Sequence, residues 1–333
     1  MQGDFPGGRE VIRRALMKRS VSEAAIPIMI SSISEGTLKQ YSTCYKKFWS
    51  YCIGNNIDMF SYNLNTYLNF LLEEINKNLS YSSNNIYRSA LNLIFSVDNK
   101  DEIIIKRFIK DTYNTIPPQP KYAITWSLDP VLKYLASLFP LENLSIDKLT
   151  IKLVTLMAIT TAHRVQTLSK ITLNNIFRST DKIEIRISEK IKTSGPNKLQ
   201  PTLVFPYFKE KLEICVATTI YFCIQKTSLQ RGKINNIILT HKKPFHAASC
   251  QSISRWIKAG LKNSGINIER FSSHSVRHAS TSSALRCGVN VNTIKNTAGW
   301  SLESEVFLKF YNRPVGEPNE IFANTILKLA LEK

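Results

Sequence analysis

From residue 164 onward, the sequence carries side chains whose types and order suit chemistry on a phosphodiester. They are two arginines, a lysine, a histidine, a tryptophan and a tyrosine: Arg164, Lys192, His274, Arg277, Trp300 and Tyr311. A phenol can attack phosphorus and store the bond energy in a covalent ester. Guanidinium groups match the charged oxygens of the transition state, and a general acid supplies the proton that the leaving 5′-oxygen needs. The set is therefore complete for breaking and rejoining a DNA strand without metal or ATP.

The runs that contain these residues resemble those of the tyrosine recombinase (phage integrase) family. That family has an Arg after a long helix, a Lys on a β-hairpin, a His-x-x-Arg, a His or Trp, and a Tyr near the C-terminus. The corresponding runs occur here in the same order: Ala162-His163-Arg164, Lys192-Thr193, His274-Ser275-Val276-Arg277-His278, Ala298-Gly299-Trp300-Ser301 and Phe310-Tyr311-Asn312-Arg313. The Ala-Gly-Trp run looks Cre-like, whereas Phe-Leu-Lys-Phe-Tyr-Asn-Arg-Pro is more similar to recombinases of eukaryotic mobile elements, the DIRS-type retrotransposons and cryptons.

The resemblance implies that Tyr311 is the nucleophile and forms a 3′-phosphotyrosyl link with DNA. It is the only tyrosine after Tyr221, so no other candidate follows the His-x-x-Arg run. Without the other motifs, it would be an ordinary aromatic residue of an amphipathic helix beside Phe310. Arg164 and Arg277 would clamp the scissile phosphate, although each alone would be interpreted as a surface cation.

The general acid implied by the resemblance is Lys192, because the family's lysine sits on the hairpin in a Lys-Thr context. Lys190 and Lys198 are close enough in sequence to compete for this role. The sequence departs from the family pattern at two positions. Thr167 replaces the acid that usually follows the first Arg by three residues, and Trp300 replaces the more frequent His.

Imidazole and indole groups complete the implied site. His274 would bind the phosphate or assist proton transfer, Trp300 would donate its indole N–H to a phosphate oxygen unless it is a core residue, and His278 would support the site. His274 and His278 could alternatively form a zinc pair, but the Glu of His-Glu-x-x-His is missing and no third ligand is evident, so no metal is expected. The step from Trp300 to Tyr311 is 11 residues, longer than is common in the family.

The elements that must position these residues are mostly helices, with a small antiparallel β-sheet. A long apolar helix is expected over 147–161, just before Arg164. Isoleucines alternate with polar residues over 183–188, the period of a half-buried strand, and 202–205 can pair with it across a turn at 194–197. Further helices follow, and glycines stand where they would stop: Gly265, Gly288 and Gly299.

A separate helical domain is expected at 31–114, where apolar residues recur at helical spacing in four short segments. Residues 1–30 are expected to form a flexible tail. Prolines in 115–122 give a stiff, extended linker, and 123–333 would form the α+β catalytic domain. The resemblance implies that the helical domain is a SAM-like core-binding domain that binds DNA. It also implies that the two domains form a C-shaped clamp on the duplex.

The charge of the chain favours a polyanionic partner. Lys and Arg number 44 against 25 Asp and Glu, a formal net charge of +19. Residues 151–300 hold 23 of the basic residues and only 6 of the acidic ones, a concentration that suits a phosphate backbone. A basic protein with no nucleic-acid partner is the alternative. No membrane span is expected, because the longest uncharged run, 59–72, is short and contains polar residues.

The resemblance also implies an assembly, in which four protomers on two double-stranded DNA duplexes exchange strands through a Holliday junction. A C-terminal helix over 319–331, with Phe322, Ile326 and Leu329 on one face, would dock on a neighbouring protomer. No nucleotide-binding glycine pattern occurs, so no cofactor is expected. Six cysteines without a C-x-x-C pair favour a reducing intracellular compartment, and the mobile-element resemblance favours the nucleus.

Together these observations predict a site-specific DNA recombinase or integrase. The alternative from another class is a catalytically silent DNA-binding protein derived from such an enzyme, although a silenced copy should have lost at least one member of the set. A relaxing activity similar to that of type IB topoisomerases would use the same chemistry without site preference.

Overall fold

Apolar residues recur at three- and four-residue steps along most of the chain, and helices form there. The structure is a computed structural model that describes residues 3–115, 117, 121–196, 198–316, 323–324 and 326–328. The chain divides into two units, 1–119 and 120–333, and each packs helices round its own apolar core. A three-stranded antiparallel sheet is the regular β-structure of the described residues. The predicted class, mostly α with a small antiparallel sheet, is confirmed.

Within the described residues, the helices of the first unit are α1 (Gly8–Lys18), α2 (Ala25–Ser31), α3 (Glu35–Gly54), α4 (Leu64–Asn76), α5 (Tyr81–Ile94) and α6 (Asn99–Thr115). Polar side chains cap the start of three of them by accepting a backbone N–H of the first turn. Ser34 caps α3, Asn63 caps α4 and Ser80 caps α5. These caps explain why the helices begin where they do.

The prediction of a flexible tail over 1–30 is wrong, because α1 and α2 occupy most of this segment. Four apolar residues of α1 are buried in the core: Val11, Ile12, Ala15 and Leu16. They form one helix face that packs on α3, while Arg14 pairs with Glu10 on the opposite, solvent-facing side at 2.9 Å. The high arginine content of this segment makes it look unstructured, because only a narrow face of α1 is apolar. Packing of that one face is nevertheless enough to stabilise a short helix.

Helices of the second unit, within the described residues, are α7 (Asp129–Ser137), α8 (Ile146–Thr161), α9 (Val165–Ser169), α10 (Val216–Lys226), α11 (Ser228–Arg231), α12 (Cys250–Asn263), α13 (Ser275–Arg286) and α14 (Val291–Thr297). α8 is buried along most of its length and packs against α10, α12 and α13. The residue that follows its last turn, Ala162, has a positive φ of 50°. The chain therefore turns sharply just before Arg164.

The sheet of the second unit has the order β1-β2-β3, with β1 (Ile176–Arg178), β2 (Lys182–Arg186) and β3 (Thr202–Pro206). Ile183 lies opposite Phe205 and Ile185 opposite Leu203, and all four side chains are buried. The pairing of β2 with β3 agrees with the alternation in the sequence. The loop between these strands carries Lys192.

Two predictions fall largely outside the described residues. Of the proline-rich linker 115–122, only 115, 117, 121 and 122 are described, and of the C-terminal helix 319–331 only 323, 324 and 326–328. Among the described helices, none has the length and apolar character that crossing a bilayer requires.

Candidate active site

α13 is the element that carries the His-x-x-Arg residues, and its first turn is held from two sides. The Ser275 hydroxyl donates to the carbonyl of Ser272 over 2.7 Å and accepts from the indole N–H of Trp126 over 2.9 Å. His274 precedes the helix directly, and Arg277 follows in its first turn. The hydrogen bonds of Ser275 therefore anchor the start of the helix from which both side chains project.

Arg277 is buried between the end of α8 and two aromatic rings. Its Nη1 donates to the carbonyl of Ala162 over 2.5 Å. The guanidinium carbon lies 3.8 Å from the ring centroid of Trp300 and 5.3 Å from that of Tyr311. Burial, followed by the charge of Arg164, lowers the pKa of Arg277 to about 9. The guanidinium therefore stays protonated at neutral pH and carries a charge that no described carboxylate offsets by an ion pair.

Three donors at this position are buried and have no hydrogen-bond partner among the described residues. They are Nε and Nη2 of Arg277 and Nε1 of Trp300. Leaving a buried donor unpaired costs about 1–3 kcal/mol, more for a charged group, so folded proteins seldom do it without a reason. An anion that accepts from these donors would remove the cost. The arrangement therefore suits an anionic group such as a phosphate.

Tyr311 lies in contact with the residues of α13. Its hydroxyl is 3.0 Å from Nε2 of His274. Its ring stacks on the ring of His278, with centroids 4.2 Å apart and planes 18° apart, and meets the edge of Trp300 with centroids 4.8 Å apart. The phenol is thus held among two imidazoles, an indole and the guanidinium of Arg277.

A π-type turn over Phe307–Tyr311 presents the tyrosine. The N–H of Asn312 donates to the carbonyl of Phe307, five residues back, over 2.9 Å. This turn accommodates one residue more than an α-helical turn, and such turns are frequent at functional sites. Phe307, which is fully buried, and Tyr311 both contact Trp300. The wider turn therefore accommodates the long 11-residue step between Trp300 and Tyr311.

Both imidazoles next to the tyrosine are neutral at pH 7. Burial, and then His274, lowers the pKa of His278 to about 3. The His274 ring reaches solvent, but its partial desolvation, followed by the charges of Arg277 and Arg164, lowers its pKa to about 4. With its proton on Nδ1, neutral His274 can accept a proton from Tyr311 through Nε2.

Arg164 stands between α8 and α9 and is half-buried. Together with His163, His274 and Arg277 it lines one small depression. Its charge lowers the pKa of both His274 and Arg277. The two predicted arginines therefore act on the same small region from two separate elements.

Lys192 lies in the exposed loop between β2 and β3. Its backbone N–H donates to Oε1 of Gln166 on α9 over 2.9 Å, which ties the loop to the segment that begins at Arg164. The charge of Lys192 also lowers the pKa of His274. The structure therefore places five of the seven predicted residues in direct contact: His274, Arg277, His278, Trp300 and Tyr311. The other two, Arg164 and Lys192, lie within electrostatic range.

Comparison with models of protein families matches residues 136–315 to the phage integrase family. The match covers more than half of the chain. The chain belongs to the phage integrase family. The resemblance to tyrosine recombinases that the sequence motifs indicated is thereby confirmed.

Solved structures share the integrase fold along most of the chain. XerH recombinase bound to its difH substrate before cleavage is 13% identical, with a TM-score of 0.61 over 96% of this chain and 97% of that one. A lambda integrase dimer bound to a COC′ core site is 16% identical, with a TM-score of 0.53 over 87% and 75%. The Tn1549 transposon integrase with circular intermediate DNA is 12% identical, with a TM-score of 0.59 over 96% and 99%. A search of curated proteins by sequence finds no significant match.

Two residues that influence this integrase-family site were not predicted from the sequence. The charge of Lys121 lowers the pKa of His274 and of His278. The ring of Tyr122 meets His278 edge-on at 5.0 Å, and its hydroxyl lies 2.7 Å from that of Ser272. Both residues stand some 150 positions before α13 and belong to no motif, so the sequence carries no signal that they contribute.

His163 is a buried neighbour of the site residues. Burial, and then Arg277 and Arg164, lowers its pKa to about 4, so it is neutral at pH 7. A Cβ added at Gly299 would lie 3.0 Å from its Cε1, so the ring packs closely against the backbone that leads into Trp300. The sequence runs contained both residues, but only the structure shows that they are neighbours.

At position 167, where the family usually has an acid, this chain has a buried threonine. The backbone N–H of Thr167 donates to the carbonyl of Arg164 over 2.8 Å.

The described residues contain no group of three or more His, Cys, Asp or Glu side chains that could hold a metal ion. His274 and His278 instead both pack against Tyr311.

Proposed function

We propose that this member of the phage integrase family is a site-specific DNA recombinase, which cleaves and rejoins DNA through a 3′-phosphotyrosyl intermediate. The observation that carries the proposal is the position of the Tyr311 hydroxyl, 3.0 Å from Nε2 of neutral His274 and beside the buried guanidinium of Arg277. A nucleophile, a proton acceptor and a cation for the phosphate thus meet at one point.

The proposed cleavage step accounts for each bond and proton. Arg164 and Arg277 hold the non-bridging oxygens of the phosphate, and Trp300 donates its indole N–H to one of them. The Tyr311 hydroxyl passes its proton to Nε2 of His274, and its oxygen forms a bond to phosphorus.

The bond between phosphorus and the 5′-oxygen then breaks, and Lys192 gives that oxygen a proton. The 5′-hydroxyl of another strand can reverse these steps and displace Tyr311. Phosphodiester energy is conserved in the phosphotyrosyl ester, so the chain's own side chains supply everything that the transfer needs.

Double-stranded DNA is the proposed partner of both units. The catalytic unit contains the basic stretch 151–300, and the helical unit would add the core-binding contacts that the family resemblance implies. Lambda integrase has been solved as a dimer on a core site and as a tetramer on a Holliday junction. We propose that four protomers of this chain assemble on two duplexes and contact one another through the C-terminal segment 319–331. We also propose that the protein is a mobile-element recombinase and that it acts in the nucleus.

A nicked suicide substrate tests the proposal. Cleavage near the nick releases a short oligonucleotide, so the covalent complex cannot be rejoined and accumulates. Random-sequence flanks allow the preferred site to be recovered from the adducts. We expect the wild-type protein to form a denaturant-resistant adduct that Tyr311→Phe does not form. DNA binding without any wild-type adduct would instead support the silent DNA-binding protein, and relaxation of supercoils without site preference would indicate topoisomerase-like activity.

A further inference from the structure

A buried serine joins α13 to the segment that presents the tyrosine. Ser282 is fully buried, one turn beyond His278 on the helix that begins beside His274. Its hydroxyl donates to the backbone carbonyl of Tyr311 over 2.9 Å and accepts from the backbone N–H of Arg313 over 2.9 Å. One side chain thus uses both its donor and its acceptor capacity on the two residues that flank Asn312.

The side chain of Arg313 fastens the same segment from the other side. Its Nε donates to the carbonyl of Tyr122 over 2.8 Å, and its Nη2 donates to the carbonyl of Lys309 over 3.1 Å. The third contact runs from Nη1 to the carbonyl of Asn312 over 3.2 Å. We call Ser282 and Arg313 the backbone clasp. It connects the end of the π-type turn to α13 and to the start of the catalytic unit.

The middle of this turn is exposed and adds little packing. Of its five residues, Phe307 is buried, whereas Leu308, Lys309 and Phe310 are exposed. Tyr311 has its own side-chain contacts, but its hydroxyl must leave His274 when it bonds to phosphorus. The hydrogen bonds of the clasp involve backbone groups and do not depend on that step.

The geometry points to Ser282 as a positioning residue for the nucleophile, with Arg313 as its support. This inference rests on the proposed recombinase function. Because Ser282 and Arg277 belong to one helix, the clasp fixes the distance between the attacking oxygen and the guanidinium that binds the phosphate. Ser282 acts through the backbone and touches no reacting atom.

The variant Ser282→Ala tests this role against Ser280→Ala. Ser280 is also a buried serine of α13, but its hydroxyl has no hydrogen-bond partner among the described residues, so its loss should leave cleavage unchanged. Loss of the clasp should slow single-turnover adduct formation on the suicide substrate by about 100-fold, the scale of a misplacement of about 1 Å. The dissociation constant for uncleaved DNA should be unchanged in both variants.

A second substrate separates positioning from proton donation. A 5′-bridging phosphorothiolate has a sulfur leaving group that needs no general acid. It should restore the cleavage rate of Lys192→Ala but not that of Ser282→Ala. Restoration of both rates would overturn the positioning role.

The variant Arg313→Gln keeps the test decisive even where Ser282→Ala fails to fold, because Arg313 is only half-buried. It should show the same slow cleavage, unchanged DNA binding and lack of rescue by the phosphorothiolate. Equal cleavage rates for wild type, Ser282→Ala and Arg313→Gln would overturn the inference and leave the recombinase proposal intact. Absence of an adduct with the wild-type protein would contradict the recombinase proposal itself and the inference with it.

Discussion

Arg277 combines a hydrogen bond to the Ala162 carbonyl, a stacked contact with Trp300 and two buried donors without a described partner. A lysine at this position would keep the charge, but its single ammonium group cannot make all these contacts or present a planar pair of donors. We expect Arg277→Lys to slow single-turnover cleavage by about 100- to 1,000-fold, the effect of losing one transition-state donor. Unchanged cleavage would contradict the phosphate-binding role, and duplex binding by anisotropy serves as the control.

The neutral state of His274 gives a prediction on pH. Its pKa is lowered from the ordinary 6.5 to about 4, so the ring that must accept the tyrosine proton stays unprotonated well below neutrality. We expect the second-order rate constant for single-turnover adduct formation, measured at DNA concentrations below the dissociation constant so that it reports the free enzyme, to stay level between pH 7.5 and pH 5.5. An ordinary histidine would lose about tenfold by pH 5.5. A half-maximal rate near pH 6.5 would contradict the assigned proton acceptor.

Site residues differ in how far the sequence reveals them. Arg277, Trp300 and Tyr311 stand in short runs whose types and order are informative without coordinates. Ser282 and Tyr122 act through backbone groups or across long sequence separations, and their residue types are common, so only the folded chain brings their contacts to light.

At the scale of elements, the turn between α14 and Trp300 controls where the indole lies. Gly299 has a positive φ of 71°, and an added Cβ would crowd His163. We expect Gly299→Ala to lower the free energy of unfolding by about 1–2 kcal/mol and to shift the tryptophan fluorescence.

Gly36 in α3 offers a matched control for this substitution. Its φ is not positive, and a Cβ there would meet only the Ser34 hydroxyl at 3.9 Å. Gly36→Ala should therefore raise the free energy of unfolding by about 0.5–1 kcal/mol. Equal stability of the two variants in thermal denaturation would show that the backbone at Gly299 is not constrained.

Elements with strong periodicity were predictable, and the exceptions have physical causes. The alternating isoleucines identified β2, whereas β1 is too short at three residues to show a period. α1 was not predicted because its apolar face is narrow and most of its other residues are charged. The π-type turn could not be predicted, because no residue type or spacing in the sequence indicates a hydrogen bond to a residue five positions back.

At the scale of the whole molecule, the net charge of +19 dominates the expected behaviour with DNA. Each neutralised phosphate releases counterions, so binding weakens steeply as salt rises. For a protein that makes six to ten phosphate contacts, we expect the dissociation constant for duplex DNA to rise by about 10³-fold or more between 50 and 200 mM salt. Fluorescence anisotropy measures this dependence, and a dissociation constant insensitive to salt would contradict a phosphate-binding surface.

The most direct test of the central claim is to identify the residue that becomes attached to DNA. Adduct from the suicide substrate can be digested with nuclease and protease, and the nucleotide-bearing peptide sequenced by mass spectrometry. We expect the 3′-phosphate on Tyr311, in a peptide that contains Phe310 and Asn312. A nucleotide on any other residue, or no modified peptide from a preparation that binds the same DNA, would contradict the claim that this phenol is the nucleophile.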